Sequence, residues 1–152
     1  MIWSILDCGC GLRAKGTVNV DLHPELTEHR GEGGTIDVHG TPNFVKADIQ
    51  HLPFKSDSFG EAWCSHVLEH VRFPELAVSE MCRVARKVMV TVPHRFTINF
   101  GYWQKSHRHK FGAKWFRQMF RQMFRQLGIS ASMNVTYGLF GIPEQIIVEG
   151  TR

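Results

Sequence analysis

Ser4-Ile5-Leu6-Asp7-Cys8-Gly9-Cys10-Gly11 is an apolar run that meets an aspartate and then two glycines. A second run, Thr17-Val18-Asn19-Val20-Asp21, also ends in an aspartate. Each reads as a short buried strand, the first closed by Gly9 and Gly11. Gly9-Cys10-Gly11-Leu12-Arg13-Ala14 satisfies the letters G-x-G-x-x-G/A, so a dinucleotide site is the first reading to weigh. That site needs the glycine turn to open a helix whose N-terminus holds pyrophosphate, with an acid for the ribose about 20 residues on. Here Asp21 follows Gly11 by ten positions, and Leu12 to Gly16 is too short for that helix. It is also short of the dozen or so residues of a normal crossover between parallel strands, so the chain is expected to cross extended or in a single turn.

Outward from this pair the same logic recurs. Phe44-Val45-Lys46-Ala47-Asp48 is a third strand and Ala62-Trp63-Cys64-Ser65 a fourth, separated by the turn-rich stretch Leu52 to Ser58. A helical turn is expected near Glu25 to His29, and a loop over Gly31 to Asn43. From Phe73 to Ala85 the period changes: Pro74 and Glu75 open a helix on which Leu76, Met81, Val84 and Ala85 share a face. Val88-Met89-Val90-Thr91-Val92, closed by Pro93, is a fifth strand buried on both faces. Ser132 to Tyr137 and Gln145 to Val148 read as two closing strands joined through Gly138 to Pro143. Strands interleaved with helices predict an α/β sheet with parallel order at its centre, whose ligands bind at the carboxyl ends of the strands.

Between these elements, Phe-Arg-Gln recurs at 116, 120 and 124, placing Phe116, Phe120 and Phe124 on one helical stripe with Met119, Met123 and Leu127, and Gly128 as the stop. The stripe reads as core under a sheet, with a dimer face or a basic amphipathic surface helix as the alternatives.

The chain has 152 residues, 43% hydrophobic and 21% charged, the size and composition of a single globular domain over 1–152. No apolar run approaches the 18 residues of a membrane span, and the start shows no signal peptide, so a cytoplasmic protein is expected. Cys8, Cys10, Cys64 and Cys82 lie in apolar segments and are expected to be reduced thiols. Neither the C-x-C pair nor the H-x-H of Ser106-His107-Arg108-His109-Lys110-Phe111 has the spacing of a zinc site, so no metal is expected. That histidine-rich run reads as an exposed loop or as one that binds phosphate or an acidic substrate. Residues 1–80 carry 6 Lys/Arg against 12 Asp/Glu, whereas residues 81–152 carry 12 against 2, with no acid between Glu80 and Glu144. The later half, at +10, is either a solvated basic face or a field attracting nucleic acid, an acidic protein or an anionic head group.

A ligand without phosphates removes the need for the missing helix yet still wants glycines for close backbone approach and a carboxylate for a ribose diol. At this point the sequence resembles the class I S-adenosylmethionine-dependent methyltransferases, of the type-11 branch that includes ubiquinone-biosynthesis-like enzymes. The resemblance rests on motifs in order: Ile5-Leu6-Asp7-Cys8-Gly9-Cys10-Gly11, Val20-Asp21, Ala47-Asp48-Ile49, Leu52-Pro53-Phe54 with Ser58-Phe59, Ser65-His66-Val67-Leu68-Glu69-His70, and Pro93-His94. It covers roughly residues 3–94 and, more loosely, 107–128. It implies a Rossmann-like, mostly parallel sheet of about seven strands with helices on both faces and the last strand antiparallel. It also implies S-adenosylmethionine as cofactor, S-adenosylhomocysteine as product, and a methyl acceptor that the motifs do not name.

By the same resemblance the cofactor-binding residues are Asp7, Cys8, Gly9, Cys10, Gly11, Asp21, Leu22, Asp48, Ile49, Ser65 and His66. Gly9 and Gly11 approach the methionine moiety, with Asp7 beneath them. Asp21 takes the ribose hydroxyls, Asp48 the adenine amine and Ile49 the ring, and the backbone at Ser65 and His66 lines the sulfonium end. Each aspartate has a plainer alternative as a turn or cap residue. The sequence departs from the pattern at Arg13, where a third glycine is usual, and at Gly60, where an acid is usual.

Methyl transfer is an in-line displacement needing alignment more than a covalent nucleophile. A base near neutrality helps a hydroxyl or ammonium acceptor, which makes His66 and His94 the catalytic candidates. His70, with Glu69, reads instead as fixing the helix that follows the fourth strand. The first strand begins at about residue 4, so the pocket roof is expected from the Gly31–Asn43 loop, the Arg95–Phe111 segment, a second subunit or a large substrate. A roofless site beside a basic half favours an RNA or acidic macromolecular acceptor. Two other classes stand beside the enzyme: an inactive cofactor-binding partner subunit, docking as a homo-oligomer or heteromer through the 114–127 helix, and an RNA-binding module with a decayed pocket.

Overall fold

The computed structural model describes residues 4–25, 34–94, 108–137 and 143–151. In chain order the elements are β1 (Ile5–Cys8), β2 (Val18–Asp21), β3 (Phe44–Lys46), β4 (Phe59–Ser65), α1 (Pro74–Val84), β5 (Ala85–Pro93), α2 (Ala113–Leu127), β6 (Ser130–Tyr137) and β7 (Pro143–Thr151). The strands form one seven-stranded sheet in the order β3-β2-β1-β4-β5-β7-β6. The first five pair in parallel, whereas β7 is antiparallel to both of its neighbours. The mostly parallel α/β sheet with an antiparallel last strand is thus the architecture expected from the sequence. Strand order reverses at β1, which lies between β2 and β4, and this is where an open α/β sheet holds its ligand.

The alternation of the strands decides which face is core. Leu6, Cys8, Val20, Ala62, Cys64, Val88, Val90 and Val92 are buried together with Ala77, Val78 and Met81 of α1 and Phe116, Phe120 and Phe124 of α2. The two described helices also touch one another, so both cover the same face. On the other face Glu61, Trp63, Lys87, Met89 and Thr91 are only half-buried. There Trp63 Nε1 donates to Glu61 Oε2 at 2.9 Å, and Lys87 Nζ lies 3.6 Å from Glu61 Oε1.

Two strands run longer than their composition suggests. β4 starts at Phe59 rather than Ala62, and β5 starts at Ala85, because Phe59 pairs with Ala85 and the ladder begins there. Helix α1 therefore ends at Val84 and passes into β5 with no intervening loop: Ala85 is already extended at φ −129° and ψ 151°. The closing strands are longer as well, Ser130–Tyr137 and Pro143–Thr151, since they pair with each other along their length. α2 stops at Gly128, in the left-handed conformation at φ 67°, as the sequence predicts. The expected turn at Glu25 to His29, most of the Arg95–Phe111 segment and the link over 138–142 lie outside the described residues.

The short first crossover contains no helix, in agreement with its length, and is fastened at both ends. The Thr17 hydroxyl accepts from Ile5 N–H at 2.8 Å and donates to Ile5 O at 3.0 Å, while Thr17 N–H bonds the same carbonyl at 2.9 Å. The fully buried Asn19 side chain accepts from Gly16 N–H at 2.9 Å and donates to Gly16 O at 3.0 Å and Pro42 O at 2.7 Å. A β-carbon on Gly16 would stand 2.8 Å from Asp7 N, so only glycine lets the returning chain lie against β1.

Candidate active site

The loop after Cys8 meets the carboxyl end of β2 and the segment after β4, with the end of β3 next along the sheet beside β2. Gly9 and Gly11 are both left-handed, at φ +76° and +55°. Gly9 N–H and Cys10 N–H both donate to Val20 O, at 2.7 and 3.0 Å, which folds the loop over the end of β2. A β-carbon on Gly9 would collide with the Val67 side chain, whereas one on Gly11 would meet nothing within 4 Å among the described residues. The loop is therefore packed beneath Gly9 and open above Gly11.

The three aspartates sit at successive strand tips with different partners. Asp7 is only 8% exposed, and Lys15 N–H donates to its Oδ2 at 2.8 Å. Burial pushes its carboxyl above the usual range, opposed by the Lys15 N–H and charge, with the nearby Asp21 charge adding to the rise. Asp21, half-buried, accepts from Gly11 N–H at 3.2 Å through Oδ2 and from His23 N–H at 3.0 Å through Oδ1. Asp48 is held by Gln50: Oδ1 accepts from its backbone N–H at 2.9 Å, and the side-chain amide lies 3.0 Å from both carboxylate oxygens. Asp21 and Asp48 thus do form the turns that the plainer reading supposed, and their carboxylates still stand at the strand ends. Gln50, which sequence reasoning passed over, also accepts from Phe73 N–H at 2.9 Å and so ties the β3 tip to the start of α1.

Of the remaining candidates, Cys8, Cys10 and Ile49 are buried, and Leu22 is exposed. Cys8 and Cys64 are free thiols that burial pushes well above their ordinary pKa, which makes them packing groups and not nucleophiles. Ser65 and His66 are exposed at the end of β4. His66 has a left-handed backbone at φ 56°, and its N–H donates to Thr91 O at 2.9 Å, bracing it between the tips of β4 and β5. His94, at the end of β5, is 5% exposed.

One further group stands out, which sequence reasoning took only as a partner of His70 in fixing the following helix. Glu69 is 1% exposed, its Oε1 lies 3.6 Å from His66 Nδ1, and its Oε2 is buried with no hydrogen-bond partner among the described residues. The Glu69 carbonyl accepts from Arg108 and His109 N–H at 2.7 and 3.2 Å, and His109 Nε2 lies 2.9 Å from Val71 O. The described end of the Arg95–Phe111 segment is therefore fastened to the site's rim. The described part of the other expected roof is there too: Ile36 N–H donates to Pro24 O at 2.9 Å, and Gly34 lies against the Leu12 side chain. Among the described residues no group of three or more His, Cys, Asp or Glu side chains is placed to hold a metal ion, and no helix is long and apolar enough to cross a membrane.

With this geometry in hand, comparison with known proteins gives a direct result. The family model described as a methyltransferase domain matches residues 6–88, more than half of the chain. The chain belongs to this family. Its matched span runs from β1 to the middle of β5 and so contains every strand tip described above except that of β5. An uncharacterised protein of Methanocaldococcus jannaschii, MJ0638, is 31% identical over 104 residues, which is 60% of this chain and 41% of the relative. The chain thus spans about two fifths of that relative's length.

Solved structures share the fold of the methyltransferase domain at low identity. The methyltransferase partner in the complex with the Haloferax volcanii Trm112 methyltransferase activator superposes with a TM-score of 0.69 at 16% identity, covering 98% of this chain and 82% of that one. The small RNA methyltransferase HEN1 gives 0.72 at 14% identity, covering 99% of this chain and 23% of that one. The sheet is that of the class I S-adenosylmethionine-dependent methyltransferases.

Proposed function

We propose that the protein transfers a methyl group from S-adenosylmethionine to a large or anionic acceptor. The observation that carries the reading is the Gly9-to-Gly11 loop at the point where strand order reverses, open above Gly11 and with the Asp21 carboxylate at its side. The residues present fit the cofactor: left-handed glycines allow close approach, and carboxylates stand at the tips of β2 and β3. Asp21 would hold the ribose hydroxyls and Asp48 the adenine amine, with Ile49 and Leu22 beside the ring. Asp7, Cys8 and Cys10 would shape the loop from below, and Ser65 and His66 would line the reacting end.

When bound, the cofactor supplies an electrophilic methyl carbon on sulfur. The work of this chain is then alignment and exclusion of water. His66, whose side chain is 42% exposed at the β4 tip, would take a proton from an incoming hydroxyl or ammonium. His94 is the second candidate, buried one element away. The described parts of the two segments expected to supply a roof are fastened beside the strand tips, Ile36 to Pro24 and Arg108 and His109 to Glu69.

Proteins of this fold act on unlike acceptors, among them small RNA and magnesium protoporphyrin IX, so the fold leaves the acceptor open. One of them is found with an activator subunit, and an accessory chain is part of this proposal. The test is calorimetric titration with S-adenosylmethionine and S-adenosylhomocysteine, followed by transfer of labelled methyl into fractionated extract. Binding of both and labelling of a macromolecular fraction are expected. Absence of binding overturns the reading, and binding without labelling replaces it with an inactive partner subunit.

A further inference from the structure

Helix α2 carries two faces of opposite chemistry. Phe116, Phe120 and Phe124 are buried, with successive ring centroids 4.5 and 5.1 Å apart, and Phe111 joins the ladder 5.2 Å from Phe116. The Phe124 ring covers Gly150 of β7 at a distance where no β-carbon fits. Phe116, Phe120 and Phe124 are taken up by the core, so none of the three is available to a membrane surface or a subunit contact.

The opposite face is left to explain. Lys114, Arg117, Arg121 and Arg125 are all exposed and follow one another at steps of three, four and four residues, which puts them in one row about 16 Å long. None of the four has an ion pair or hydrogen-bonded side-chain partner among the described residues. The row is energetically costly. Like charges at i, i+4 repel, Lys114 opposes the helix dipole in a first turn that holds no acid, and the helix itself carries no Asp or Glu. Only Arg125, in the last turn, complements the dipole, and the packing of the helix is done by the phenylalanines.

The row also has a direction. α2 begins two residues after Phe111, close to the segment whose Arg108 and His109 N–H groups bond Glu69 O at the site's rim. It ends where β6 starts beside Thr151 and Lys87, at the far edge of the sheet. The cations therefore lead away from the strand tips. Their complement is a chain of regularly spaced anions. Guanidinium forks suit phosphodiester oxygens, and the exposed Gln118 and Gln122 between them offer both a donor and an acceptor to a ribose 2′-hydroxyl.

We propose that the Lys114, Arg117, Arg121 and Arg125 face of α2 is a track for the backbone of a single-stranded RNA, one nucleotide of which is presented at the tips of β1 and β4. The presentation rests on the methyl-transfer reading above; the track does not. The test uses the full chain and a fluorescein-labelled single-stranded RNA of about 20 nucleotides, with anisotropy followed across a salt series. For four neutralised phosphates the log of affinity falls against log salt with a slope near −0.7 per phosphate, about −3 in all. Arg117→Gln/Arg121→Gln/Arg125→Gln, which keeps residues of good helix propensity, is expected to lose tenfold or more in affinity and about 2 in slope. Each single variant should lose part of that, with far-UV circular dichroism unchanged.

A triple variant within twofold of the parent, a salt-independent affinity, or equal binding of single-stranded DNA overturns the track. So does displacement of the RNA by polyglutamate at matched charge, which would mark an acidic protein as the occupant. Titration with S-adenosylmethionine on the same samples keeps the two readings apart. Intact cofactor binding with no RNA binding removes the track alone, and the converse removes the methyl-transfer reading alone.

Discussion

Gly11 N–H and Asp21 Oδ2, ten residues apart in the chain, are joined by a 3.2 Å hydrogen bond that links the glycine loop after β1 to the tip of β2. The carboxylate that orders the loop is the one proposed above to hold the ribose hydroxyls. Asp21→Ala is expected to abolish the thermal shift produced by S-adenosylmethionine, whereas Asp21→Asn, which keeps an acceptor for Gly11, should weaken it only in part. Differential scanning fluorimetry with and without cofactor reads both, and an undiminished shift in Asp21→Ala removes the site assignment.

Asp7 gives a pH-dependent prediction. Its carboxyl is raised in the fold by burial, so ionisation costs more in the folded than in the unfolded chain. Its contribution is therefore most favourable below the unfolded carboxylate range and is lost as pH rises through the folded value. Asp7→Asn keeps an oxygen for Lys15 N–H and should raise Tm at neutral pH by a few degrees, on the order of 1 kcal/mol. The gain should close on acidification. A gain that is the same at pH 4 and pH 7 would contradict burial as the cause.

The pair Glu80 and Arg83 works in the opposite sense. Arg83 Nε and Nη2 donate to the Glu80 carboxylate at 2.6 and 2.8 Å, and the guanidinium also donates to Phe54 O and Leu52 O at 2.7 and 3.0 Å. Glu80 in turn accepts from Leu52 N–H at 2.8 Å. The hydrogen bonds to Arg83 hold the Glu80 carboxyl below its ordinary value, so its stabilisation is complete above the unfolded value and is lost as pH falls through the folded one. Glu80→Gln should cost about 1–2 kcal/mol at neutral pH and progressively less in acid, as read by urea unfolding.

Gly9→Ala meets both a left-handed backbone and the Val67 side chain. A loss of about 2 kcal/mol or more is expected. Gly9→Ala/Val67→Ala should recover the steric share but not the backbone share, and a double variant no better than the single would show that the collision is not what matters.

Glu69 has a buried carboxyl oxygen with no partner among the described residues, an arrangement that weakens a fold unless a site needs it. Glu69→Met, of similar volume, should raise Tm by several degrees while reducing methyl transfer at least tenfold. A variant that is both more stable and fully active would leave the acid without a role at His66.

The frame was legible because β-branched alternation and aspartate endings mark the strands, and because a nine-residue link between Cys8 and Val18 leaves room for only one kind of crossing. What was not legible depends on register. The added length of β4 follows from Phe59 facing Ala85, which no local pattern states. The Thr17 and Asn19 clamps look like ordinary strand residues until Ile5 and Pro42 are placed beside them. Leu52-Pro53-Phe54 reads as a motif in one dimension. In three it is the segment whose carbonyls receive Arg83, a part in the fold and not in the chemistry. Asp21 and Asp48 were visible as candidates, but that each also builds its own turn needed the neighbouring N–H groups.

The strand order has a consequence for biosynthesis. β6 leaves the ribosome before β7, yet β7 is the strand that seats against β5. Until it emerges, β5 carries a bare hydrogen-bonding edge beside a nascent β6 with nothing to pair to, so the hairpin must dock as a unit and late. A nascent chain stalled near residue 142 should be held by chaperones and cleaved by proteases far more readily than one extended past Thr151.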